Sequence, residues 1–277
     1  MLPAVNFHLW RPCNYRCRFC FARFAEVPAA LDRTATVQIV DALADHGCDK
    51  LTFVGGEPTL CPFLGDAVER AAARGITTSV VSNGARLAAL IDRHGDALDW
   101  IGLSVDSGDE AVNVQLGRGR GDHVARTIAL AAHARSRGIS IKLNTVVTAL
   151  NRDEDFGPIV RQLQPERWKV FQVLPIAGQN DGEGQLEGLE ITAAALVAYA
   201  ERHRAQGLAP IIEDNDAMTG SYVMIDPMGR FFDNVDGRLS YGPPILEVGV
   251  ERALAGVRWE RERLVARGGL YPWRRRR

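Results

Sequence analysis

This sequence predicts an α/β fold in which parallel strands are covered by helices. Three observations carry that reading. β-Branched apolar runs alternate with amphipathic stretches up to about residue 176. The unusual polar residues gather at the carboxyl ends of the apolar runs, where an α/β barrel builds its sites. And 277 residues, 46% hydrophobic and 24% charged, suffice for a large core with an ordinary globular composition.

Strands are predicted at 5–10, 50–54, 77–82, 100–105, 140–147 and 168–174, with helices at 37–46, 63–74, 86–94, 123–137 and 156–163. In the fourth helix Val124, Ile128 and Ala132 recur at i, i+4 and are expected to face the core. Gly75 and Gly138 follow their helices where a left-handed cap residue belongs. An open sheet and a partial barrel both satisfy this pattern. Beyond residue 177 the rhythm breaks. Residues 177–188 are rich in Gly, Asn, Asp and Glu and read as a loop, followed by a helix at 193–204 and a short strand near 211–213. Residues 221–226 and 230–234 suit a hairpin turned by Pro227-Met228-Gly229. With no linker or repeat, residues 1–176 read as a core and 177–277 as an extension packed on it, all in one structural domain.

A net charge of -1 gives no long-range pull toward nucleic acid or an anionic membrane, so an anionic ligand must be held by locally gathered Arg and Lys. No signal sequence, membrane anchor or bilayer-length apolar stretch is read. Five cysteines, three of them clustered, do not make a disulfide framework, and a reducing, cytoplasmic setting is expected. The basic run at 273–277 suits a solvated tail or a cover over an anionic substrate.

Cys13, Cys17 and Cys20 fall just past the first strand with C-x3-C-x2-C spacing and no obvious fourth partner. A four-iron cluster normally takes four cysteines. Three leave one iron open to a substrate or cofactor. Zinc is the rival reading, but it closes its shell with four Cys or His ligands. The nearest histidine, His8, lies inside a predicted strand, while Cys48 and Cys61 are remote.

Further polar groups fall at later strand ends: Gly55-Gly56-Glu57-Pro58, Ser82-Asn83-Gly84, then Ser104 and Asp106. Two glycines allow close backbone approach of a ligand, and Glu57 can accept from a ligand ammonium; a plain strand-to-helix turn is the alternative. Gly117-Arg118-Gly119-Arg120-Gly121 could bring amides and arginines to a phosphate, or be a solvated turn. By the two-residue period Lys142 shares a strand face with Asn144, Arg167 with Lys169 and Phe171, and Asn6 with His8. Buried lysines are costly without a partner. Either they form internal ion pairs or they gather with an arginine around an anion such as a polyphosphate.

The cysteine spacing together with Gly55-Gly56-Glu57-Pro58 resembles the radical S-adenosylmethionine superfamily. Longer strings resemble its viperin family: Val5-Asn6-Phe7-His8, Val81-Ser82-Asn83-Gly84, Lys142-Leu143-Asn144, Arg167-Trp168-Lys169-Val170-Phe171-Gln172 and Arg267-Gly268-Gly269-Leu270-Tyr271. The resemblance runs almost the whole chain, without the amphipathic membrane helix of the animal members, and so favours the soluble prokaryotic ones.

That resemblance implies a partial (βα)6 TIM-like barrel with a C-terminal extension. It implies a [4Fe-4S] cluster on Cys13, Cys17 and Cys20, and S-adenosyl-L-methionine held by Phe19, Gly55, Gly56, Glu57, Ser82, Asn83, Ser104 and Arg167. A ribonucleoside triphosphate would meet Asn6, His8, Arg118, Lys142, Asn144, Lys169 and Glu213, with Arg167 also counted among the cations near the triphosphate. Tyr222 would be catalytic. The implied reaction is dehydration to the 3′-deoxy-3′,4′-didehydro nucleotide, a polymerase chain terminator serving antiviral defence. An external flavodoxin- or ferredoxin-type donor would supply the electron that cleaves the cofactor, and the resulting 5′-deoxyadenosyl radical would attack ribose C4′. CTP is the first choice, with UTP or GTP open. The rivals are a GTP-cyclising or peptide-modifying radical enzyme, and a cluster-containing nucleotide sensor.

Overall fold

A computed structural model describes residues 2–273; the run at 274–277 lies outside them. Six strand–helix repeats come first. They run β1 (Val5–Trp10), α1 (Arg33–Asp45), β2 (Lys50–Gly55), α2 (Leu64–Ala73), β3 (Thr77–Ser82), α3 (Leu87–His94), β4 (Trp100–Ser104), α4 (Glu110–Gln115) and α5 (His123–Ser136). They continue through β5 (Ser140–Val147), α6 (Gly157–Leu163), β6 (Arg167–Gln172) and α7 (Ala193–Arg204). Then follow β7 (Pro210–Glu213), α8 (Asn215–Met218), β8 (Val223–Ile225), β9 (Arg230–Asp233), β10 (Ser240–Pro244), α9 (Ile245–Val248), α10 (Val250–Leu254) and α11 (Arg261–Ala266).

All strands join one sheet, in the order β10-β9-β8-β1-β2-β3-β4-β5-β6-β7. Every pairing from β8 through β1 to β7 is parallel, whereas β8, β9 and β10 pair antiparallel. This is the partial, TIM-like barrel rather than a flat open sheet: one side packs on helices and the other curves around a cavity. Strand β5 shows how. Ile141, Leu143, Thr145 and Val147 are buried, while Lys142, Asn144 and Val146 between them face the cavity. Phe7, Leu51, Phe53, Ile101 and Leu143 belong to a single core with Ile39, Leu43, Val68, Ile91 and Leu196 from the helices.

Local chemistry explains the boundaries. Asp32 caps α1 by accepting from Ala35 N at 2.8 Å, and Thr192 caps α7 by accepting from Ala195 N at 3.2 Å. Asp226 accepts from Met228 N at 3.0 Å and Arg230 N at 2.8 Å, which fixes the β8–β9 turn. The core face of α5 differs from the expected stripe. Val124, Thr127, Leu130, Ala131 and Ala134 are buried, whereas Ala132 is exposed. Thr127 can face the core because its hydroxyl donates to the His123 carbonyl at 2.7 Å. The short elements α4, α8–α11 and β10 were not predicted; at six residues or fewer they carry no readable period. Among the described residues no helix is long and apolar enough to cross a membrane.

Candidate active site

The concave side of the sheet holds a cavity of about 730 Å³, ample for small ligands. Its two ends differ in chemistry. At the carboxyl ends of the strands lie the three clustered cysteines, Glu57, Ser82, Asn83 and Ser104; deeper in stand Lys142, Asn144 and Lys169.

At the rim, Cys13 sulfur receives Tyr15 N at 3.4 Å and Asn83 Nδ2 at 3.7 Å, donors that suit a thiolate. Burial pushes the Cys17 thiol up to about 12 and raises Cys13, so a bound cation is what would hold these as thiolates. Glu57 is buried. Its Oε1 accepts from Thr59 N at 3.0 Å, Thr59 Oγ1 at 2.5 Å and Ser82 Oγ at 2.6 Å, while Oε2 accepts only Asn83 N at 2.7 Å. Oε2 therefore keeps capacity for a further donor.

The rim glycines serve a purpose that the sequence reading did not foresee. A Cβ on Gly55 would lie 2.2 Å from Trp10 O, and one on Gly56 would lie 2.1 Å from Arg11 O. Gly56 N and Glu57 N bond back to Trp10 O and Pro12 O at 2.6 and 2.9 Å. What approaches these glycines is the chain entering the cysteine loop. Gly117 behaves alike. A Cβ there would meet Arg16 O at 2.2 Å, and Arg16 N and Arg18 N bond to Gly117 O and Leu116 O at 3.2 and 3.0 Å. This turn clamps the cysteine loop.

Arg118 consequently stands at the cysteine end, paired with the buried Asp106 and 5.5 Å from the Phe19 ring centroid. It lines the same cavity as Lys142 and Lys169, but its charge is already answered by Asp106. Arg167 is displaced the other way. It opens β6 at the amino end of the barrel, bonds to Gly268 O and lies 4.1 Å from the Tyr271 ring centroid, away from the expected cofactor contacts.

The base is a cluster of charge. Lys169 is ion-paired to the buried Glu213, which also accepts from Tyr222 and lies 3.2 Å from Arg267. Arg267 stacks 3.6 Å from the Tyr222 ring centroid. Glu213 therefore backs the cavity wall without lining it. Burial would raise its carboxyl, but Lys169 and then Arg267 more than reverse that and hold it below the carboxylate range. With Arg267 sharing that carboxylate, burial still pulls Lys169 down to about 7. Burial brings Lys142, which has no carboxylate partner among the described residues, down to about 8. Burial, with Glu213 beside it, keeps the Tyr222 phenol protonated far above its ordinary value.

Asn6, His8 and Asn144 line the cavity as expected. His8 sits among Phe21, Phe24 and Phe232, with centroids 6.3, 5.1 and 5.4 Å away; burial lowers it to about 3, and its Nδ1 has no protein partner. Asn144 Oδ1 is likewise buried without one. Sequence reading missed Gln179 and Asn180. Gln179 Oε1 accepts from Arg23 N and Phe24 N at 2.9 and 2.7 Å, and Asn180 Nδ2 donates to Phe19 O at 3.1 Å, so the supposed loop at 177–188 braces the cysteine segment. Arg267 lay within a string already singled out but had no role assigned.

A partial barrel with an open three-cysteine loop beyond its first strand defines a class, and comparison agrees. The Radical SAM superfamily model matches residues 9–163. The chain is 42% identical to an S-adenosylmethionine-dependent nucleotide dehydratase of Flammeovirga pacifica, over 99% of this chain and 97% of that one. It is 34% identical to one from Thermoplasmatales archaeon (strain ISO4-H5), over 98% and 96%. It is 35% identical to the dehydratase RSAD2 of Siniperca chuatsi, over 98% and 79%. The solved structure of native anSMEcpe with bound AdoMet shares the fold, with a TM-score of 0.67 at 15% identity over 92% of this chain and 81% of that one. The chain is thus a radical enzyme whose superfamily uses a [4Fe-4S] cluster and S-adenosylmethionine. Within that superfamily it belongs to the S-adenosylmethionine-dependent nucleotide dehydratases.

Proposed function

We propose that this enzyme dehydrates a ribonucleoside triphosphate, CTP first, to its 3′-deoxy-3′,4′-didehydro analogue. The observation that carries this is the surplus of cations at the base: among the described residues Lys142, Lys169, Arg167 and Arg267 stand with one carboxylate, Glu213. Uncompensated buried charge is costly unless an anion completes it, and a triphosphate supplies the needed sign and reach.

Cys13, Cys17 and Cys20 would hold the cluster. Phe19, Gly55, Gly56, Glu57, Ser82, Asn83 and Ser104 would hold S-adenosylmethionine, with Glu57 Oε2 free to accept from its ammonium. When bound, that pair supplies one-electron chemistry able to take a hydrogen atom from an unactivated carbon. The chain's own task is placement. The cations anchor the phosphates at one end, and the unpartnered His8 Nδ1 and Asn144 Oδ1 offer polar contacts along the nucleoside. Tyr222 holds a phenolic proton at the cavity wall, hydrogen-bonded to Glu213. Remote binding energy on the phosphates thereby serves the ribose carbons.

The product lacks the 3′-hydroxyl that a polymerase extends, which supports an antiviral, anti-phage role. A flavodoxin- or ferredoxin-type carrier is the proposed reductant. The free thiols of all five cysteines suit the cytoplasm. Anaerobic incubation of reconstituted enzyme with each nucleoside triphosphate, followed by mass spectrometry, tests the reading. Loss of one water with equimolar deoxyadenosine is the expected result; a cyclised purine, or no nucleotide product, overturns it.

A further inference from the structure

A hydrogen-bonded chain that lines none of the phosphate end connects the cysteine loop to the end of β4. His123, the first residue of α5, is fully buried, and its Nε2 lies 2.7 Å from the carbonyl oxygen of Ser104. A carbonyl only accepts, so Nε2 must carry the proton. Nδ1 is then an acceptor in the neutral ring, and the Tyr15 hydroxyl, 3.3 Å away, donates to it. Arg126 in turn donates to the Tyr15 oxygen. The direction of every hydrogen is therefore fixed: Arg126 to Tyr15, Tyr15 to His123, His123 to Ser104. Burial lowers His123 to about 4, which keeps the ring neutral and the order intact.

The placement of the two ends gives this chain a purpose. Tyr15 lies between Cys13 and Cys17, and Ser104 closes β4 at the cavity rim. The Tyr15 ring stands edge-on to His123 at 5.6 Å, and Gly119 leaves them room, since a Cβ there would lie 2.8 Å from His123 Cβ. Burial of a bare imidazole without ligand or substrate contact would be a poor use of the position that opens a helix; here both of its nitrogens are committed.

We propose that His123 is a positioning residue which, through Tyr15 and the Ser104 carbonyl, sets the separation between the cysteine loop and the end of β4. This rests on the assignment of the cluster to that loop and of S-adenosylmethionine to the strand ends. The cofactor must span both, and displacements of about 1 Å in such geometry cost large factors in rate. His123 touches neither reacting group and acts through the two parts it joins.

Tyr15→Phe removes only the hydroxyl, and His123→Gln places an amide nitrogen near the former Nε2, so Ser104 keeps its donor. His123→Ala removes both bonds. With iron and sulfide content matched to wild type, Tyr15→Phe and His123→Ala should weaken S-adenosylmethionine binding about tenfold, the scale seen when groups that orient ligands are removed. They should also alter the change that S-adenosylmethionine makes in the EPR spectrum of the reduced cluster, and His123→Gln should restore part of both. Hydrogen exchange in the cofactor-free protein adds an independent reading: Tyr15→Phe should speed exchange at residues 104–106. A simple packing role would lower melting temperature while leaving the EPR response of the loaded fraction as in wild type, and that result overturns the proposal. If wild-type holoprotein itself shows no EPR response, the cofactor assignment fails instead.

Discussion

The rim and the base of one cavity are built on opposite principles. At the rim, polar groups are already satisfied by protein: Glu57 accepts four bonds, Arg118 has Asp106, and the glycine turns are tied to the cysteine loop. At the base, among the described residues, Lys142, Lys169 and Arg267 all draw on the one buried carboxylate of Glu213. The rim is largely braced by protein bonds, whereas the base holds charges that the protein answers only in part. Such a division suits a reactive centre that must not shift and a substrate that comes and goes.

The largest break comes from Cys17→Ala. It should abolish cluster loading, cofactor cleavage and nucleotide turnover together; deoxyadenosine formation by the reconstituted variant would refute the rim assignment. Next, Lys142→Met or Lys169→Met should weaken nucleotide binding by about tenfold to a hundredfold, about 1.4–2.8 kcal/mol, with S-adenosylmethionine affinity unchanged. Calorimetric titration of both ligands separates the two ends. Glu213→Gln should weaken nucleotide binding and lower stability together, because Glu213 is what raises Lys169 and Lys142 against burial, and without it both lysines lose charge.

Acidity offers a finer probe. Lys142 and Lys169 are drawn down to about 8 and about 7, below the ordinary lysine value, so their charge is lost as pH rises through that range. Nucleotide affinity should therefore fall between about pH 6.5 and 9, and Lys142→Met should flatten the slope. The free protein should behave in the opposite sense. Above those values the unfolded lysines still bind protons that the folded ones have released, so stability rises with pH until about 10.4. A melting series without nucleotide checks this. The smallest effect belongs to Gly119→Ala. With φ at +84° and His123 at 2.8 Å from the new Cβ, it should cost about 1–2 kcal/mol, read as a modest fall in melting temperature with the cluster retained.

Much of this could be read from sequence wherever the signal is local. Strands 77–82 and 140–147 and the helix at 193–204 were legible to the residue, since their periodicity is complete within the segment. The cysteine loop was legible for the same reason, its three sulfurs lying within eight residues. The packing partners of Arg118 and Arg167 were not. Each belongs to a motif with a persuasive composition, but its partner is fixed by long-range packing: Asp106 for the one, Tyr271 for the other. Glu213 was seen as a site residue, yet its position behind Lys169 follows from the pairing of β6 with β7 and from the return of the chain after α11. Spacing names the chemistry of a residue; only topology says which end of the barrel receives it.

The pairing of β1 with β8 has a consequence for how the molecule comes into being. Val5 and Val223 are register partners although more than two hundred residues separate them. The strand that carries Asn6 and His8 and leads into the cysteine loop is thus made first and flanked on that side late. Until β8 arrives, β1 keeps an unpaired edge open to other chains, a hazard of slow, non-local sheet assembly. The surroundings of the cysteine loop are therefore complete only once β8 has docked.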